Sequence, residues 1–150
     1  MIPIYIFGND EDETLGQIIK KAISPFGTTV YNTDKHSDEI NDTCSFFMKE
    51  QEDCSNLKNS VGIAVFKKSF LPKEPVILPA NWIAVIDSNH DKLKEQFCKT
   101  GQIVVTCGTK ATDTFSISVS YTHLYWTTPI KLPFTMQNVT VWAFAFYRLM

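Results

Sequence analysis

The 150-residue chain has no Gly-Lys-Ser/Thr triplet, no Cys-x-x-Cys pair, no excess of one charge and no long apolar run. Each absence removes a class of function. A membrane-spanning helix needs about 18 or more consecutive apolar residues, and no stretch approaches that. The opening Met1-Ile2-Pro3 carries neither the basic nor the apolar region of a secretion signal. The four cysteines, Cys44, Cys54, Cys98 and Cys107, show no zinc spacing, so they read as structural thiols that behave as small apolar residues. Fourteen basic residues against 16 acidic ones, a net charge of −2, imply no polyanion-binding surface. The histidines His36, His90 and His123 are scattered and lie beside no nucleophile turn, so no catalytic residue is assigned. The expectation is one cytoplasmic domain over residues 1–150, without a nucleic-acid or membrane partner. A domain of this size buries roughly 70% of its unfolded surface.

Short apolar runs alternate with helical patterns. Residues 2–7, 28–32, 61–66, 82–87 and 103–106 read as strands, and residues 15–24 and 91–99 as helices. Gly27 and Gly101 are their stop signals. A polar segment, residues 37–57, reads as a helix anchored by Ile40, Cys44, Phe47, Met48 and Leu57. Pro72, Pro75 and Pro79 make residues 67–81 an extended surface connection. Strict alternation of Phe115, Ile117 and Val119 with serines, followed by a strand-like run over 125–132, predicts a β-hairpin extension. The chain closes on an apolar helix whose N-cap is Asn138. This pattern specifies an α/β fold of three layers, with a mostly parallel, Rossmann-like or P-loop-NTPase-like sheet.

The first β-to-α corner is where such folds hold phosphate, and here Gly8-Asn9 runs into Asp10, Glu11, Asp12 and Glu13 before Thr14. At about 4 Å and an effective dielectric of about 20, each carboxylate would repel a phosphate by roughly 4 kcal/mol. The acids also complement the positive end of the following helix. A second candidate turn, Gly108-Thr109-Lys110, follows a strand and carries one cation. The candidate ligand-binding residues are Gly8, Asn9, Asp10, Thr14, Gly108, Thr109, Lys110 and Asn138, with no metal and no cofactor expected.

The segment IAVIDSNHDKL, residues 83–93, precedes IVVTCGT, residues 103–109. This resembles the A-V-L-N-x-D-D-P-x-L and V-V-T-[FY]-G segments in the central, ATP-binding domain of the Mur ligase family. Asp87 stands at the family's asparagine, Asn89 and His90 at its paired aspartates and Asp91 at its proline. Ile130 to Pro133 and then Asn138-Val139 resemble apolar-L-P-G and H-N-V-x-N, with Phe134, Gln137 and Val141 at the glycine, histidine and second asparagine. IPIYIFGNDEDETLGQII, residues 2–19, occupies the place of the family's I-G-I-T-G-T-N-G-K-T-T. The resemblance implies a Mur-ligase-like core with a degenerate phosphate loop, without the lysine and with only Thr14 left to hold Mg²⁺. Its functional implication is a stand-alone, non-catalytic relative that binds a protein partner or a small ligand beyond the strand carboxyl ends. Two alternatives stand beside it: a nucleotide-dependent amide ligase or kinase-like enzyme with an unconventional loop, and a homo-oligomeric assembly module pairing through the hairpin.

Overall fold

A computed structural model describes residues 1–9, 11–33, 36–38, 43–54, 57, 61–119 and 124–127. The elements are β1 (Ile2–Phe7), α1 (Thr14–Ile23), β2 (Thr29–Asn32), β3 (Phe46–Gln51), β4 (Val61–Phe66), β5 (Asn81–Asp87), α2 (Asp91–Thr100), β6 (Ile103–Gly108), β7 (Phe115–Val119) and β8 (Leu124–Thr127). The strands form one sheet in the order β2-β3-β1-β4-β5-β6-β7-β8. All neighbours are parallel except β8, which returns antiparallel to β7 as the predicted hairpin.

The central strands are covered on both faces, which is why β1, β4 and β5 are continuous apolar runs rather than alternating ones. On one face Ile4, Ile6, Val65 and Val85 pack against Leu15, Ile19 and Ile23 of α1, whose four-residue spacing keeps them on one stripe. On the other, Phe7, Phe66, Trp82, Ala84 and Ile86 meet Leu93 and Phe97 of α2. The proline-rich connection covers the same face with Phe70, Val76 and Leu78. Phe66 is the hub there, with ring centroids 5.2 Å from Phe7, 5.1 Å from Phe70 and 5.5 Å from Phe97. Gly101 ends α2 with φ 68°, a left-handed conformation that a side chain disfavours, and its N–H donates to the Phe97 carbonyl.

Two expectations fail. The helix expected over 37–57 fails at its centre, which is β3, an interior strand between β2 and β1. The pair on its inward side is Met48 and Glu50, and the buried glutamate disguises a period of two as a polar stretch. Cys98 is exposed instead of packed, because the buried stripe of α2 runs through Leu93 and Phe97 and leaves it to one side. Cys44 and Cys107 are buried, Cys54 is partly so, and all four are free thiols. The strand residues expected over 128–132 and the closing helix with Asn138 lie outside the described residues.

Candidate functional site

After β1 the chain builds β2 and β3 on one side of it, then crosses to place β4 on the other. That reversal opens a crevice beyond the strand carboxyl ends, the usual ligand position in open α/β sheets. A cleft of about 660 Å³ lies there, lined by Gly8 and Asn9 after β1, Glu52 to Cys54 after β3, and residues 69–77 after β4. Burial, and then Asp53, push the Cys54 thiol up to about 12, so it is no nucleophile at neutral pH.

The corner between β1 and α1 is built around a lysine that the corner does not contain. Lys67, one residue past β4, is almost fully buried. Its Nζ donates to the carbonyls of Asn9 at 2.5 Å and Asp12 at 2.6 Å, and pairs with Glu50 Oε1. Those three acceptors saturate the ammonium. The other carboxylate oxygen of Glu50 accepts the Tyr31 hydroxyl. Burial first, and then this bond to an anion, hold the Tyr31 phenol far above its ordinary value of 10.0. A cation, an anion and a phenol thus form one closed chain beneath α1, drawn from the ends of three strands.

Two glycines admit this chain. Gly8, at φ 137°, has no Cβ where one would lie 2.8 Å from the Lys67 Cβ. A Cβ on Gly16 would lie 2.1 Å from the Tyr31 hydroxyl and 2.9 Å from Glu50 Oε2. Gly16→Ala is therefore expected to destabilise the fold by about 1–3 kcal/mol through overpacking. Helix propensity alone would stabilise by about 1 kcal/mol. A urea midpoint that rises in this variant would show the contact to be unimportant.

Three described amides of the corner are also committed. Asn9 N–H donates to Ser69 Oγ at 3.1 Å, Glu11 N–H to Asn9 Oδ1 at 2.9 Å, and Thr14 N–H to Asp12 Oδ1 at 3.0 Å. The bonds from Thr14, with Lys67 adding a smaller effect, hold the Asp12 carboxyl below its usual range. Acid does cap α1, but through Asp12 rather than the N-cap residue Glu13, whose side chain makes no capping bond.

Of the residues singled out from sequence, Gly8 and Asn9 line the cleft, whereas Thr14 starts α1 behind it. Asp10 and Asn138 lie outside the described residues. Gly108, Thr109 and Lys110 stand at the end of β6, with β4 and β5 between them and β1, about 14 Å away at ordinary strand spacing. That turn closes on itself. The buried Asp113 accepts Lys110 N–H at 2.9 Å, and Lys110 Nζ reaches the Ser88 carbonyl at 3.4 Å. Asp87 and Asp113 lie near enough to Cys107 to add to the burial that pushes its thiol up to about 12. The second wall of the cleft, residues 69–77, went unrecognised in the sequence, although its two prolines, Pro72 and Pro75, come soon after a buried strand. Among the described residues, no three His, Cys, Asp or Glu side chains converge as a metal site.

No protein-family model and no curated protein matches the chain. Solved structures do. The fold is similar to that of UDP-N-acetylmuramoyl-L-alanyl-D-glutamate–2,6-diaminopimelate ligase, a Mur ligase, with a TM-score of 0.56 at 10% identity. The match covers 97% of this chain and 42% of that one, so the chain spans about two fifths of the ligase's length. At that identity the likeness is one of architecture, and the architecture is the α/β, mostly parallel, Mur-ligase-like sheet expected from the sequence.

Proposed function

We propose that this chain is a non-catalytic Mur-ligase-like domain that works by binding, in the cleft beyond β3, β1 and β4. One observation carries the reading. In a phosphate-binding corner, a lysine, free loop amides and the first turn of the following helix face a phosphate. Here the lysine pairs with Glu50, Gly16 in the first turn of α1 lies against the same carboxylate, the amides of Glu11 and Thr14 face the loop's own side-chain oxygens, and that of Asn9 faces Ser69 Oγ. An internal carboxylate has taken the place of the substrate anion.

Moving Lys67 to a nucleotide would strand the Glu50 carboxylate in a site with no solvent exposure. Leaving a buried charge unpaired costs about 3–5 kcal/mol, which a phosphate contact would first have to offset. The carbonyls of Asn9 and Asp12 also point at the ammonium, and they present the wrong sign to a phosphate. Titration of the chain with Mg-ATP in a calorimeter is expected to give no heat of binding and no rise in melting temperature. A dissociation constant in the micromolar range overturns the proposal and favours the enzyme alternative.

A further inference from the structure

The cleft differs in character from the corner beside it. Its described lining carries Glu52, Asp53 and Glu74 against Lys73 alone. Its far wall carries two large apolar side chains in water: Leu71 is 77% exposed and Ile77 is 82% exposed. The wall is rigidly held, so that exposure is built in. Val76 and Leu78, on either side of Ile77, point into the core at 4% and 8% exposure. From α2, Gln96 Nε2 donates to the Val76 carbonyl at 2.5 Å, and the His90 ring nitrogen Nε2 lies 2.8 Å from the Phe70 carbonyl. Ser69 ties the base of the same wall to Asn9. Residues 76–78 thus alternate in–out–in as a strand does, yet pair with no strand among the described residues.

We infer that the cleft receives an extended segment of a partner protein in which basic and apolar side chains alternate, the basic ones set against Glu52, Asp53 and Glu74 and the apolar ones against Leu71 and Ile77. The inference rests on the binding role proposed above and names its ligand class. Charge complementarity selects a cation over an anion and steers its approach. An unpaired extended wall suits an added strand, whose alternate side chains reach opposite sides. The volume falls within the range of roughly 300–1,000 Å³ that takes drug-sized ligands, which is room for a few residues of such a segment. A preorganised wall also spares the partner the entropy of ordering it.

The test uses a blocked hexapeptide of alternating leucine and lysine, its counterpart with glutamate for lysine, and hexylamine. The lysine peptide is expected to bind, to move the amide resonances of residues 69–77 in NMR spectra, and to weaken as salt screens the pairs. Glu52 and Glu74 are exposed, so the double variant Glu52→Gln/Glu74→Gln is expected to keep the parent melting temperature. Its affinity for the lysine peptide should fall by roughly three- to tenfold. Leu71→Ser should weaken the same peptide without changing its salt dependence. Equal binding of the glutamate peptide, undiminished binding by the double variant, or hexylamine binding as tightly as the peptide would each overturn the inference. None of these outcomes bears on Mg-ATP, so the inference and the binding role can fail separately.

Discussion

Lys67→Met is expected to lower the unfolding free energy by about 3–5 kcal/mol, because it leaves the Glu50 carboxylate buried without its cation. A methionine fills most of the lysine's volume and repairs none of its three polar contacts, to Glu50 and to the carbonyls of Asn9 and Asp12. Glu50→Gln alone should also destabilise, since the buried ammonium then loses its counter-charge. The double variant Glu50→Gln/Lys67→Met should lose less than the sum of the two, a coupling that reports direct interaction. Urea unfolding of the four proteins measures it. Additive losses, or a Lys67→Met loss below about 1 kcal/mol of the kind exposed ion pairs show, would mean that the pair does not hold the corner together.

Phe66→Ala should cost about 3–5 kcal/mol through the cavity it leaves. Phe66 is 1% exposed, and its ring lies among Phe7, Phe70 and Phe97, so the sheet, the connection and α2 all share it. The loss should extend to the cleft, because Phe70 begins the wall that carries Leu71 and packs on this ring. Hydrogen exchange at residues 70–77 is expected to speed up in the variant even at temperatures where it stays folded. Phe66→Leu, which keeps most of the apolar volume, should lose far less and leave that exchange unchanged. Equal stability of the alanine and leucine variants would show that the aromatic cluster is not what fixes the wall.

What the sequence makes legible follows from how each element is buried. β1, β4 and β5 stand out because strands covered on two faces must be apolar throughout, and α1 because Leu15, Ile19 and Ile23 fall on one stripe. β3 is hidden for the opposite reason. Its inward position Glu50 is polar, and the groups that make burial of a carboxylate tolerable, Lys67 and Tyr31, come from distant parts of the chain. No local window contains the pair.

The cleft is half legible. Gly8 and Asn9 mark its near wall because a glycine turn after the first strand of an α/β unit faces the crevice. The far wall reads from sequence only as a connection. Three prolines exclude regular structure there, but they do not tell which of Leu71, Val76, Ile77 and Leu78 turn outward. That choice is made by α2 and the residue that precedes it, through Gln96 and His90, and so belongs to tertiary structure.

The strand order also governs how the chain assembles. From β2 to β7 every neighbour runs in the same direction, so none of these pairs can zip up through a tight turn, and each must wait for a distant stretch to arrive. Among the described strands, only β7 and β8 are joined closely enough to form early on their own. Loop-closure entropy is therefore met before most of the sheet gives anything back, and a chain with this layout folds slowly for its size.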